Sequence, residues 1–166
     1  PGDRVLAIVG GVFGDRTRKL ATAFGLQADV LEVAFGQSVA PEVVQARLNQ
    51  ADYRGLFLTQ NETSTGICND VYRVGQVLEG RELLYVVDGV SSVGAIPLEM
   101  DRSRVDVAFT ASQKALMAPP GASLIAVSER AWRFNKKAKC PRFYFDLHSI
   151  RDAQDRGQNP WTPPLS

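Results

Sequence analysis

Short apolar runs alternate with amphipathic stretches along the whole chain. Runs of this length, rich in branched aliphatic residues, are typical of strands that are buried on both faces of a parallel sheet. Six of them predict strands at 5–9, 30–33, 56–59, 83–87, 105–109 and 123–127. The stretches between them predict helices at 15–24, 41–48, 70–78 and 129–137. Repeated β-α-β units predict an α/β fold with a doubly wound, mostly parallel sheet.

Local signals mark the start of two of these helices. Pro41 suits a first helical position, where its missing N–H would have no partner in any case. Ser128 is a typical N-cap for the last predicted helix. The polar, proline-containing stretch 151–166 predicts a loop or a connection to another part of a larger protein.

Composition narrows the class of protein. With 166 residues, 45% of them hydrophobic, the chain can form one sizeable core. Nineteen basic and 18 acidic residues give a net charge of +1, which argues against a nucleic-acid partner. The apolar runs are far shorter than a membrane span. Two cysteines and one histidine make neither a zinc site nor a disulfide framework, so we expect a cytoplasmic protein without a metal.

Polar residues follow several predicted strands, where ligands of open α/β sheets bind. The first strand is followed by a glycine cluster at 10–14 that lacks the GxGxxG spacing, and no GxxxxGK[ST] motif is present. Asp88 by itself resembles a Walker B or phospho-receiver aspartate. A receiver needs an acidic pair after its first strand to hold magnesium, and glycines stand there in this chain. The sequence therefore argues against the nucleotide and receiver interpretations.

The remaining strand-end groups match the needs of pyridoxal 5'-phosphate. Lys114 offers an amine for a Schiff base, and Asp88 offers an anion beside the pyridine nitrogen. Thr63 or Ser64 offers a donor to the ring oxygen, and Gln113 offers a donor to the phosphate. An aspartate at a strand end is also typical of a turn, and a lysine after a strand is usually solvated. The residues alone leave both interpretations open.

Longer motifs around these residues resemble the class V aminotransferases. The main ones are DGVSSVGAIPLEMD at 88–101 and VDVAFTASQKALMAPPG at 105–121, supported by segments at 11–16, 62–66 and 159–164. The resemblance runs through essentially the whole chain. It is greatest to the serine–pyruvate, alanine–glyoxylate and serine–glyoxylate aminotransferases. It implies the fold of the large domain of fold-type I pyridoxal-phosphate transferases.

The resemblance also implies a role for each matching residue. Lys114 would form the Schiff base and shuttle a proton, and Asp88 would hold the pyridine nitrogen. Val90 would pack on the ring face, and Thr63 would bond the ring hydroxyl. Gln113 would contact the phosphate.

The same resemblance implies a homodimer with the active site at its interface. Thr162 would reach across that interface to the phosphate held by the partner. Residues 1–166 would be the central part of the coenzyme domain, without the N-terminal phosphate-loop segment and the C-terminal small domain. We therefore expect weak or no catalysis from this chain alone.

The function implied is transfer of an amino group from a small amino acid, alanine or serine, to a 2-oxo acid, glyoxylate or pyruvate. One alternative is a lyase or cysteine desulfurase-like enzyme of the same fold, with Cys68 as its thiol. The desulfurases usually carry a histidine before the lysine, where this chain has Gln113. A catalytically incompetent fragment is the other alternative.

Overall fold

Strands and helices alternate in the computed structural model, which describes residues 1–162. The strands are β1 (Arg4–Val9), β2 (Gln27–Glu32), β3 (Gly55–Thr59), β4 (Asn61–Glu62), β5 (Ile67–Cys68), β6 (Leu84–Asp88), β7 (Val107–Ala111) and β8 (Ser123–Val127). The helices are α1 (Val12–Ala23), α2 (Pro41–Leu48), α3 (Val71–Gln76), α4 (Glu129–Asn135) and α5 (Leu147–Asp155). All six predicted strands and four predicted helices are present, with ends that differ from the predicted ones by at most three residues.

The main sheet has the order β2-β1-β3-β6-β7-β8. Its first five strands are parallel, and β8 runs antiparallel to β7. The predicted mostly parallel α/β sheet is therefore confirmed. The chain runs from β1 outward to β2 and then returns to the other side of β1 with β3. The carboxyl ends of β1 and β3, where the strand order reverses, are the usual ligand position in such folds.

The core lies against one face of this sheet. Leu6, Leu56 and Tyr85 are completely buried there, and Val44 of α2 and Val74 of α3 pack against them. Complete burial of an aliphatic side chain contributes roughly 1.5–3 kcal/mol. This layer fixes the strands, and so fixes the positions of the loops that follow them.

Three features differ from the sequence prediction. Helix α1 begins at Val12 rather than at 15, and a short antiparallel hairpin, β4–β5, follows β3. Residues 151–155, predicted as a loop, lie in α5. That prediction was wrong because Asp146 caps the helix, accepting from the N–H groups of His148 (2.8 Å) and Ser149 (3.1 Å), and because Ala153 is buried.

No helix within residues 1–162 combines the length and the apolar composition that crossing a bilayer requires.

Candidate functional site

Asp88 is the last residue of β6, between Thr59 of β3 and Phe109 of β7 in the sheet register. Its Oδ1 accepts a hydrogen bond of 2.9 Å from the N–H of Val90. Burial raises the pKa of Asp88, and the nearby Glu62 carboxylate adds to that rise. The N–H of Val90 and the charge of Arg16 act in the opposite direction. The site thus holds a half-buried carboxylate that a cationic partner would stabilise.

Val90 follows Asp88 in a tight turn. A Cβ on Gly89 would lie 2.6 Å from Cγ2 of Val93, so this turn requires glycine. The carbonyl oxygen of Val90 accepts from the hydroxyl of Thr110 at 3.3 Å, which ties the turn to β7. The half-buried Val90 side chain is therefore held beside Asp88.

Lys114 lies in a turn that follows β7 at the same edge of the sheet. The base of this loop is closed by the buried Ser112. Its hydroxyl donates to the carbonyl oxygen of Pro119 at 2.6 Å and accepts from the N–H of Ala122 at 3.3 Å. Both Gln113 and Lys114 are exposed. The hydrogen bonds of Ser112 therefore anchor the loop, and the side-chain amide of Gln113 and the amine of Lys114 are exposed on it.

Thr63 and Ser64 lie in the turn of the β4–β5 hairpin, after the neighbouring strand β3. The loops after β3 and β6 are joined by paired contacts of Asn61 with Ser91. The Asn61 amide donates to the Ser91 hydroxyl (3.1 Å), which donates to the Asn61 carbonyl oxygen (2.9 Å). The hydroxyl of Ser92 also donates to Gln60 at 2.7 Å. These bonds hold the hairpin at a fixed distance from the Asp88 turn.

Most of the predicted site residues thus lie at one edge of the sheet. They are Thr63, Ser64, Asp88, Val90, Gln113 and Lys114. Thr162 belongs to another part of the chain. It is exposed and follows Trp161, whose indole N–H donates to the carbonyl oxygen of Tyr144 at 2.9 Å. Within residues 1–162 no hydrogen bond joins Thr162 to the strand-edge groups, and its role stays a prediction about a second subunit.

Three residues near this edge had no role predicted from the sequence: Glu62, Arg16 and Phe13. Glu62 accepts hydrogen bonds from the first turn of α1, and Arg16 of α1 contributes a positive charge near Asp88. Phe13 lies under the guanidinium of Arg16, 4.8 Å from ring centroid to Cζ. The segments 11–16 and 62–66 were visible only as motifs. Nothing in their spacing indicates that one binds the other.

A large cleft lies elsewhere in the described part of the chain. It has a volume of about 720 Å³ and lies near the opposite, amino ends of the parallel strands, where Arg54, Arg130 and Phe134 are among its lining residues. None of the candidate coenzyme-binding side chains lines it. We therefore place the functional site by its chemistry and by the sheet topology rather than by cleft size.

The structure is thus a doubly wound sheet with an aspartate and a lysine following adjacent strands at one edge. Residues 16–160 match the family description "Aminotransferase class-V". The chain belongs to this family.

Individual relatives bear two kinds of name, one a hydrogenase subunit and the others aminotransferases. The chain is 37% identical to the soluble hydrogenase 42 kDa subunit of Anabaena cylindrica, covering 100% of this chain and 44% of that protein. It is 34% identical to the L-aspartate–glyoxylate aminotransferase of Paracoccus denitrificans, covering 99% and 43%. The crystal structure of an alanine–glyoxylate aminotransferase from Nostoc sp. has a TM-score of 0.93 at 30% identity, covering 99% and 45%.

The chain therefore spans less than half the length of these relatives. Its fold is that of fold-type I pyridoxal-phosphate aminotransferases, as the resemblance implied.

Proposed function

We propose that this chain is the central part of the coenzyme domain of a pyridoxal-phosphate-dependent aminotransferase. The observation that carries the proposal is the position of Asp88 and Lys114 after adjacent strands of the sheet. A half-buried carboxylate ends β6, and an exposed amine follows the adjacent strand β7 at the same edge.

The residues present fit the coenzyme. Its ring nitrogen needs an anion, which Asp88 provides. Oδ1 of Asp88 accepts one backbone N–H, and a cationic partner would stabilise this partly desolvated carboxylate. Its aldehyde needs an amine, which Lys114 offers in the open. Its ring oxygen and phosphate need donors, which the exposed Thr63 and Gln113 offer.

Each residue then has a defined task. Asp88 accepts from the ring N–H, and Val90 packs on the ring face. Thr63 donates to the ring oxygen, and Gln113 donates to the phosphate. Lys114 would hold the aldehyde end of the coenzyme through Nζ and, as a free amine, would move the proton at the substrate Cα. When bound, the coenzyme supplies an electron sink for breaking that C–H bond.

The second hydroxyl of the hairpin turn has a different task. Ser64 donates to Oε1 of Glu62 at 2.6 Å and accepts from the N–H of Val12 at 3.0 Å. A hydroxyl has one proton, so Ser64 has none left for the ring oxygen. Of the two hydroxyls that the sequence offered, the geometry therefore favours Thr63.

The proposed reaction moves an amino group from a small amino acid, alanine or serine, to a 2-oxo acid such as glyoxylate or pyruvate. The names of the glyoxylate aminotransferases among the relatives support this substrate class. We further propose that two copies form a dimer, with Thr162 of one copy serving the phosphate held by the other, in the cytoplasm. The carboxylate-binding group of the substrate pocket is assigned to the rest of a longer protein.

The desulfurase alternative needs a reactive thiolate at Cys68. The pKa of the Cys68 thiol is raised, mainly by burial and to a smaller extent by the charge of Asp70. A raised pKa lowers the thiolate fraction at neutral pH, and thiolate is the reactive form. The raised pKa of the Cys68 thiol therefore supports amino transfer over sulfur transfer.

The direct test is covalent attachment of pyridoxal 5'-phosphate. The purified protein that carries this chain is mixed with the coenzyme, reduced with borohydride and digested, and the labelled peptide is identified by mass. We expect label on Lys114 and a new visible absorbance band before reduction. Label on other lysines only, or none, would refute the assignment.

Lys136 provides the matched control, since it is an exposed lysine at the end of α4. We expect Lys114→Ala to abolish both the band and the label and Lys136→Ala to leave both unchanged. Protein that binds the coenzyme through Lys114 but transfers no amino group would support the incompetent-fragment alternative.

A further inference from the structure

A buried carboxylate lies near the carboxyl ends of β1 and β3, where the strand order reverses. Glu62 is only 2% exposed, and its side chain extends from β4 to the first turn of α1. Its Oε2 accepts from the N–H groups of Phe13 at 3.1 Å and Gly14 at 3.0 Å. The carboxylate therefore occupies the position at the start of α1 where an external anion would otherwise bind.

Ser64 completes the contact. Its hydroxyl links Oε1 of Glu62 to the N–H of Val12, with distances of 2.6 and 3.0 Å. Together, Glu62 and Ser64 satisfy three N–H groups at the start of α1, none of which has a partner within the helix itself. We call these two side chains, with the N–H groups of 12–14, the α1 clamp.

Gly11 makes this approach sterically possible. A Cβ at that position would lie 2.5 Å from Cγ and Cδ of Glu62 and 2.5 Å from Oγ of Ser64. No real side chain tolerates such distances. The absence of a side chain at Gly11 therefore lets Glu62 and Ser64 reach the N–H groups of 12–14.

Thr63 lies between the two residues of the clamp. Both of its sequence neighbours are fixed to α1, so the backbone of Thr63 is held at both ends while its side chain remains exposed. The same helix carries Arg16, whose charge lowers the pKa of Asp88 against the larger effect of burial. The clamp thus connects the hydroxyl proposed for the ring oxygen with the helix whose charge acts on Asp88.

We propose that Glu62 is a positioning residue of the coenzyme site: through the α1 clamp it fixes where the Thr63 hydroxyl stands relative to the coenzyme ring. This inference rests on the proposed function. Glu62 touches no reacting atom, and its effect on the coenzyme passes through Thr63. Preorganisation of this kind lowers the cost of ordering a donor when the ligand binds.

The test is a double-mutant cycle of Glu62→Gln and Thr63→Ala in the protein that carries this chain, with pyridoxal 5'-phosphate as the probe. Glutamine keeps the size of the side chain and one acceptor but removes the charge. We expect each single variant to weaken coenzyme affinity about tenfold, the loss that corresponds to one such hydrogen bond. The double variant should lose no more than either single one, because both remove the same interaction.

Two further readouts separate positioning from a general loss of structure. In the coenzyme-free protein, hydrogen exchange at the amides of Phe13 and Gly14 should become roughly tenfold faster in Glu62→Gln. The pH titration of the visible absorbance of bound coenzyme should shift in the same direction in Glu62→Gln and Thr63→Ala. Glu42→Gln is the control, because Glu42 is an exposed carboxylate on α2 paired only with Arg73 in the described part of the chain, and it should change none of these.

Two results would overturn the inference while leaving the proposed function intact. One is a double variant whose loss of coenzyme affinity equals the sum of the two single losses in free energy. The other is a Glu62→Gln variant with faster exchange but unchanged coenzyme affinity. If the unmodified protein fails to bind the coenzyme, the proposed function and the inference fall together. If Glu62→Gln does not fold, Ser64→Ala replaces it. That variant should show the same lack of additivity with Thr63→Ala, and additive losses would again refute positioning.

Discussion

Two aspartates at opposite ends of the sheet have very different surroundings. Asp106, at the amino end of β7, is 3% exposed and accepts from the N–H of Tyr85, the hydroxyl of Ser128 and Nε of Arg130, all at 2.8 Å. The Nη2 of Arg130 also donates to it. Asp88, at the carboxyl end of β6, accepts one backbone N–H and has a pKa raised by burial.

The difference separates a structural carboxylate from a binding one. The donors to Asp106 come from β6, from the residue capping α4 and from α4 itself, so this aspartate joins three elements and needs no ligand. Asp88 is partly desolvated, and the N–H of Val90 and the charge of Arg16 offset only part of that cost. A site of this kind gains most when a cationic ligand arrives.

Removing Asp88 gives the largest expected effect. In the protein that carries this chain, Asp88→Ala should lower coenzyme-dependent amino transfer about a thousandfold, or roughly 4 kcal/mol, because the ring nitrogen loses its charged partner. The free energy of unfolding without coenzyme should change by less than about 1 kcal/mol. Steady-state kinetics and urea unfolding measure the two quantities.

This result would be contradicted in either of two ways. Near-normal amino transfer by Asp88→Ala would remove Asp88 from the site. A large loss of stability without coenzyme would make it a structural residue like Asp106.

Removing Asp106 should do the reverse. Asp106→Ala leaves Arg130 without its partner, and breaking such a buried pair from one side typically costs 3–5 kcal/mol. The Arg130 side chain is 31% exposed and regains some hydration, so we expect a loss of about 3 kcal/mol in the free energy of unfolding. Activity per folded molecule should remain normal. Urea unfolding followed by circular dichroism checks the first expectation, and active-site titration checks the second.

Ser128→Ala tests a smaller part of the same hydrogen-bond network. It removes one donor to Asp106 and the cap that accepts from the N–H of Ala131, so a loss of about 1 kcal/mol is expected. A larger loss from Ser128→Ala than from Asp106→Ala would show that the cap, rather than the aspartate, joins these elements.

Much of the fold could be predicted from the sequence because local patterns determine it. The apolar runs specified six strands, and the cap at Ser128 was confirmed by its hydrogen bond to the N–H of Ala131 at 3.1 Å. The strand-end rule placed Asp88, Thr63 and Lys114 at one edge of the sheet. Those inferences needed only spacing and parallel order.

The parts that escaped prediction depend on contacts between distant segments. Helix α1 starts early because Glu62, 49 residues from Phe13 along the chain, bonds its first turn. Asp106 was read as part of an apolar strand, and its partners at Tyr85 and Arg130 are 21 and 24 residues away. No local pattern in a single sequence reports such pairs.

The pH dependence of stability gives the smallest and most discriminating effect. Burial raises the pKa of Asp88 in the folded protein above its value in the unfolded chain. Between those two values the folded state binds more protons, so the free energy of unfolding of the coenzyme-free protein should fall as pH rises through the range just above that of an ordinary carboxyl group. Asp88→Asn should remove this decrease.

Asp146 supplies the control of opposite sign. The N–H of Ser149 is the first cause of its lowered pKa, followed among the lowering causes by the N–H of His148 and the charge of Arg142. Its contribution to stability is therefore present at neutral pH and lost as pH falls through the lowered pKa. Urea unfolding across an acid-to-neutral pH series should show Asp88→Asn gaining on the unmodified protein as pH rises and Asp146→Asn gaining as pH falls. Equal slopes for both variants would mean that the two carboxylates have the same environment, and the distinction between a binding and a structural aspartate would lose its electrostatic basis.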